Sequence, residues 1–244
     1  MKIDKVILSC TDDSYFDYYK IVSLAWEQIG VETVLFLITD SNEKRDNVIN
    51  FNVKNIDNIF ISQNIRLLGP ALFPDSTCII SDIDMMPMSK KYFQNNIKEF
   101  SDENFILYRN KATKDTMYPI CYNAAKGSLW SEIFSVKNKN DIVEKLGFWY
   151  AEQSNINERS WYFDQIILKK YLDQYFKLDN KKFIKLDDGD TGWLRLNRTD
   201  LKFRFKKFYN PNLNYTDFHM PVPYLKNKKI IDRVFESNFK IRYS

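Results

Sequence analysis

Short apolar runs alternate with helically spaced stretches through the first third of the chain. Residues 6–9 read as a buried strand, and residues 14–29 then set Phe16, Tyr19, Ile21, Val22, Leu24, Ala25 and Ile29 at helical spacing. Gly30 suits the close of that helix. Residues 31–39 form a second apolar run, rich in Val, Leu and Phe. A third, short strand is expected over 59–62, a helical segment over 63–73 that ends near Pro74, and a further strand over 77–81. Strands alternating with helices in this way predict βαβ units and a mostly parallel, Rossmann-like sheet with both faces covered.

Later the pattern loosens. Residues 105–108 read as a strand, and 124–134, 141–153 and 161–176 as helices. Phe163, Ile166, Ile167, Tyr171, Leu172 and Tyr175 mark the apolar face of the last of these. Beyond Asp187 the chain is aromatic and polar with few clear periods, and it reads as loop-rich. No repeat or low-complexity linker divides the sequence. The expectation is a single α/β domain over residues 1–244, with 1–100 facing a nucleotide and 101–244 facing an acceptor.

Composition adds two constraints. The three cysteines (Cys10, Cys78, Cys121) are isolated and lack metal-ligand spacing, which argues for a reduced compartment and against a disulfide framework. The net charge of +4 hides an asymmetry: residues 181–244 carry 15 Lys and Arg against 7 Asp and Glu, or +8, leaving −4 on the rest. A basic C-terminal segment suits an anionic membrane surface, nucleic acid or a phosphorylated small molecule. With no nucleic-acid motif beside it, the phosphate-bearing small molecule is preferred, with at most peripheral membrane contact. The N-terminus runs directly into a strand pattern without a signal-peptide signature, and no run of about 18 apolar residues occurs. A cytoplasmic protein is expected.

The candidate chemistry lies at the end of the 77–81 strand, in Ser81-Asp82-Ile83-Asp84-Met85-Met86-Pro87. Residues i and i+2 of a strand point the same way, so a small bend brings two carboxylates onto one hard cation, with room left for water and diphosphate oxygens. A solvated turn is the plainer reading of the same residues. Ligands of open α/β sheets bind at the carboxyl ends of the strands, and residues 10–13 would lie beside 82–84 there. His219, the sole histidine, is a donor suited to Mn²⁺. Asp187-Asp188-Gly189-Asp190 lacks the ligand spacing of a calcium loop and reads as a turn or an acceptor-side loop.

The ordered motifs Arg66-Leu67-Leu68-Gly69-Pro70, Ser81-Asp82-Ile83-Asp84, Tyr162-Phe163-Asp164-Gln165 and Asp217-Phe218-His219-Met220-Pro221 together resemble a GT-A-fold, nucleotide-sugar-dependent glycosyltransferase of the glycogenin and lipopolysaccharide-galactosyltransferase kind. Residues 121–127 also look like a segment of some virally encoded GT-A enzymes. Two departures stand out: Ile166 replaces the final Asp of the family's Asp-Gln-Asp, and Met220-Pro221 replaces the glycine-led continuation after the histidine. The resemblance implies a metal held by Asp82, Asp84 and His219, with Mn²⁺ favoured over Mg²⁺. Thr11, Asp12, Tyr15, Arg66, Asp82, Asn123, Lys126 and Lys226 would contact a nucleotide-sugar donor, most readily a UDP-sugar. Asp164 or Asp190 would serve the acceptor, as base if the reaction inverts; the layout leans towards retention, with a glycan hydroxyl as acceptor. Trp161, Tyr162 and Trp193 are candidates for stacking on sugar faces. Two rival readings are a haloacid-dehalogenase-type phosphotransferase with Asp82 as nucleophile, and a nucleotide- or glycan-binding protein of this fold without turnover.

Overall fold

The computed structural model describes residues 1–11, 15–153, 160–177, 179–201 and 209–243. Four apolar runs become the parallel half of a seven-stranded sheet: β1 (Lys5–Thr11), β2 (Glu32–Ile38), β3 (Val48–Phe51) and β4 (Thr77–Ile80). Between them lie helices α1 (Tyr19–Gln28) and α2 (Asn58–Leu68). A second, small sheet begins with β5 (Met85–Pro87), which leads to the short α3 (Lys90–Phe93). The large sheet is completed by β6 (Phe105–Tyr108), β7 (Asn123–Lys126) and β8 (Phe183–Leu186). Helices α4 (Gly127–Phe134), α5 (Lys139–Gln153) and α6 (Phe163–Tyr175) come between β7 and β8. The chain ends with α7 (Asp188–Thr191), β9 (Arg195–Asn197), α8 (Arg198–Leu201), β10 (Asp217–His219) and α9 (Tyr224–Phe239).

The strand order of the large sheet is β3-β2-β1-β4-β7-β6-β8. All its pairings are parallel except those of β7, which runs antiparallel to both neighbours. This is the α/β, mostly parallel sheet that the pattern predicts. The inner residues of β1 and all of β4 are buried, so side chains on both faces of these strands are covered and an uninterrupted apolar run results. Helix α2 packs on β1 and β2, and α4, α5 and α6 gather around α2; α1 packs on β2 and against α9. Trp26, Trp130 and Trp149 are fully buried, each worth about 3 kcal/mol of apolar burial.

Three expectations are corrected. Residues 59–62 are not a strand but the first turns of α2, started by Asp57, whose side chain accepts the Phe60 N–H at 2.9 Å; a short apolar run does not by itself tell strand from helix. The third strand is instead residues 48–51. The expected helix over 124–134 begins only at Gly127, because 123–126 pair with β4 and β6. Finally, the C-terminal region is not loop-rich throughout: α9 buries Tyr224, Ile231, Val234 and Phe235 along one face, and β9 and β10 join β5 in the second sheet.

Among the described residues no helix is long and apolar enough to cross a membrane.

Candidate active site

Two sets of chain ends meet at a cavity of about 370 Å³. The first set is the carboxyl end of the parallel strands. β1 delivers Cys10 and Thr11, and β4, which pairs Ile80 with Ile7 of β1, runs on through Ser81 to Asp82. The second set is produced by the small sheet. Asp84 immediately precedes β5; β10 runs antiparallel to β5 and parallel to β9, so the end of β10 and the end of β9 arrive at the start of β5. His219 is therefore paired with Met85, next to Asp84, and the Met220 N–H bonds the Asp84 carbonyl at 2.9 Å. Asn197 is paired with His219, so Arg198 follows at the same point.

The geometry divides the two carboxylates of the motif. His219 Nε2 lies 3.5 Å from Asp84 Oδ2, and Arg198 Nη1 donates to that same oxygen at 2.9 Å. Burial pushes the Asp84 carboxyl up, but hydrogen bonding and charge from His219, with the Arg198 guanidinium, outweigh it and hold the group below its ordinary value. Asp82 faces the other way. Its Oδ1 pairs with Arg66 Nη1, and its Oδ2 accepts the Cys121 thiol at 2.9 Å. Burial pushes that thiol up to about 12, so it remains a donor at neutral pH.

Arg66 sits at the C-terminal end of α2 with every guanidinium nitrogen engaged. Nε donates to the Gln63 carbonyl at 3.1 Å, Nη1 to Asp82 and Nη2 to Asp164 Oδ2 at 2.8 Å. Asp164, in the first turn of α6, is buried, and its Oδ1 accepts the Gln165 N–H at 2.8 Å. Burial raises its pKa above the ordinary carboxylate value against the pull of Arg66. A planar guanidinium bridging the buried Asp164 and the partly exposed Asp82 is a fixed part of the wall.

Of the residues singled out in the sequence, Thr11, Tyr15, Arg66, Asp82, Asp84, Asp164 and His219 all line this cavity. Asp12 lies outside the described residues. Four others are not brought to it. Lys126 pairs with Thr77 at the opposite end of β4, because β7 is antiparallel, and its ammonium lies 3.7 Å from Asp102. Asn123 is at the near end of β7 but is fully buried, its amide donating to the Pro119 and Ile120 carbonyls at 2.8 and 2.9 Å. Lys226 projects from the exposed first turn of α9. Asp190 is exposed on α7, and the carboxylate of Asp187 before it is taken up by Lys111 and Asn110. Trp161 lines the mouth of the cavity and is 63% exposed. Trp193 is instead clasped between the guanidinium groups of Arg109 and Arg195, 4.1 and 4.8 Å from its ring.

Sequence reasoning missed Arg198, Gln63 and Gln165, which also line the cavity. Gln165 was legible as the neighbour of Asp164. Arg198 carried no signal, since only the β9–β10 pairing brings it to Asp84.

The donor set fits a divalent cation in part. Asp84 and His219 offer a carboxylate oxygen and an imidazole nitrogen, the mixture that suits Mn²⁺. Asp82 is held by Arg66 and Cys121, and among the described residues no three His, Cys, Asp or Glu side chains are gathered to hold an ion as they stand. Two protein ligands are what a cation shared with diphosphate oxygens needs.

No family model matches the chain, and no curated protein matches it in sequence. Solved structures do. The chain is similar to the glycosyltransferase GlyE of Streptococcus pneumoniae TIGR4, with a TM-score of 0.51 and 13% identity over 98% of this chain and 60% of GlyE. It is also similar to a glycosyltransferase involved in the glycosylation of the major capsid of PBCV-1, with a TM-score of 0.45 and 12% identity over 96% of this chain and 98% of that one. A third similar structure is the bifunctional glycosyltransferase WbbM, with a TM-score of 0.44 and 11% identity over 98% of this chain and 50% of WbbM. This chain thus spans about three fifths of GlyE and half of WbbM. The GlyE likeness shows the fold: this is a GT-A-like glycosyltransferase fold.

Proposed function

We propose that the chain transfers a sugar from a nucleoside-diphosphate sugar, with UDP-sugars preferred, to a hydroxyl of a glycan acceptor. The observation that carries this reading is the convergence of Asp82, Asp84, Arg66, Asp164 and His219 on one cavity at the carboxyl end of the parallel strands. Fold likeness to glycosyltransferases supports it. Three lining aspartates outnumber two lining arginines, so the side chains of that wall offer no surplus of positive charge. A diphosphate entering such a cavity needs added positive charge, which favours a divalent cation on Asp84 and His219. The imidazole nitrogen favours Mn²⁺ over Mg²⁺.

In this reading Thr11 and Tyr15 flank the base and ribose. Arg66 holds Asp82 and Asp164 in place, so that both accept hydrogen bonds from sugar hydroxyls. A bound cation supplies Lewis-acid stabilisation of the departing diphosphate. Asp164 has each oxygen already engaged, by Arg66 and by the Gln165 N–H. That supports an anchoring role and a retaining course in which the departing phosphate takes the acceptor proton. Trp161, exposed at the mouth, offers a face for the acceptor ring. Residues 1–100 hold the nucleotide and 101–244 the acceptor, and the proposed cation ligands Asp84 and His219 come one from each part.

The phosphotransferase alternative is less well supported. Asp82 follows β4 rather than the first strand, and both its oxygens are engaged by Arg66 and Cys121. Melting temperatures measured with UDP, GDP, CDP and dTDP, each with Mn²⁺, Mg²⁺ or EDTA, test the donor site. Stabilisation by one nucleotide only in the presence of a cation is expected; no stabilisation by any pair contradicts the reading.

A further inference from the structure

Arg66 and Arg198 reach the same cavity but are built differently. Arg66 is locked: its side chain is 9% exposed and all three guanidinium nitrogens are bonded. Arg198 is 35% exposed, starts the four-residue α8, and reaches Asp84 through a single nitrogen. It meets the carboxylate oxygen that also faces His219 Nε2. A cation coordinated by Asp84 and His219 therefore competes with Arg198 for one oxygen.

We propose that Arg198 couples cation binding to nucleotide binding by changing partners. With the cavity empty, its guanidinium neutralises Asp84. When a divalent cation takes that oxygen, repulsion from the ion opposes the Arg198–Asp84 pair, and the diphosphate of the incoming nucleotide is the anion within reach. Guanidinium groups suit diphosphate oxygens as well as they suit carboxylates. The inference rests on the donor-site reading above and adds a thermodynamic consequence to it. Arg198 penalises the cation alone and rewards cation and nucleotide together, so each ligand tightens the binding of the other by the same factor.

The test is Mn²⁺ binding followed by electron paramagnetic resonance, and UDP binding followed by calorimetry, for the native chain, Arg198→Gln and Arg198→Lys. For Arg198→Gln, Mn²⁺ alone is expected to bind about twofold to fivefold more tightly, the scale of one partly exposed ion pair. UDP in saturating Mn²⁺ is expected to bind about tenfold more weakly, since a charge-assisted contact is lost. Arg198→Lys, which keeps the charge without the planar fork, should fall between the two. A loss of structure cannot tighten Mn²⁺ binding, so the opposed directions separate the exchange from simple damage. If the native chain binds Mn²⁺ and UDP but Arg198→Gln binds Mn²⁺ alone no more tightly, the exchange is overturned and the donor site stands. If the native chain binds neither, both fall.

Discussion

Arg66 Nη2 donates to Asp164 Oδ2 at 2.8 Å and so ties the last turn of α2 to the first turn of α6 beneath the cavity. Both side chains are buried, and the same guanidinium also holds Asp82. Arg66→Ala leaves two carboxylates without their counter-charge, at a cost of about 3–5 kcal/mol. Urea unfolding of the variant should show a midpoint lowered in proportion. An Arg66→Ala protein as stable as the native chain would mean that the bridge contributes little.

Trp161 presents a large exposed ring at the cavity mouth. Trp161→Ala should change stability by no more than about 0.5 kcal/mol, as for other exposed positions. Transfer to a glycan acceptor should fall through a raised acceptor KM, with donor affinity unchanged. Steady-state kinetics that vary donor and acceptor separately check this; an effect confined to the donor contradicts the acceptor role.

Gly127 links β7 to α4, and its N–H bonds the Ser76 carbonyl at 2.8 Å. A Cβ at this position would stand 2.1 Å from the Phe73 carbonyl oxygen and 2.7 Å from that of Pro70. Both obstacles are backbone and cannot rotate away. Gly127→Ala should therefore destabilise by about 1–3 kcal/mol, read as a lowered melting temperature, whereas Gly147→Ala, with open space around it, should not.

Burial pushes the thiols of Cys78 and Cys121 up to about 12. An unfolded thiol ionises near 9, so the unfolded chain releases these protons first as pH rises. Their contribution to stability is complete below pH 9 and is lost progressively between 9 and 12. Melting temperature should accordingly decline above pH 9. Iodoacetamide at pH 8 should leave both residues unmodified in the folded protein, as peptide mass spectrometry would report. Rapid native labelling of Cys121 would contradict its role as a protonated donor to Asp82.

Much of the fold of the first hundred residues was legible in the sequence, because buried parallel strands write themselves as unbroken apolar runs. The strand into Asp82 and Asp84 is the clearest case. His219 was legible as a donor, but its meeting with Asp84 depends on the pairing of β10 with β5, segments far apart in the chain. Arg198 was hidden for the same reason. Lys126 was misplaced because sequence pattern does not reveal strand direction: antiparallel β7 sends it to the far end of the sheet. Asn123 lies at the near end, but its amide is buried and turned to the Pro119 and Ile120 carbonyls. The Asp187–Asp190 carboxylates drew notice as a cluster, yet Asp187 and Asp188 are taken up by Lys111, Asn110 and Arg109. Local acidity alone did not distinguish a set of surface ion pairs from a site.

The central claim is that Asp84 holds the cation through which a nucleotide-sugar donor is activated. UDP release from a panel of UDP-sugars, with Mn²⁺ or EDTA, compared between the native chain and Asp84→Ala, tests it most directly. The account predicts Mn²⁺-dependent release by the native chain with at least one donor. It also predicts a loss of about 10²-fold or more in the variant, whose circular dichroism should remain native. Equal turnover by the two proteins, or turnover untouched by EDTA, would contradict it.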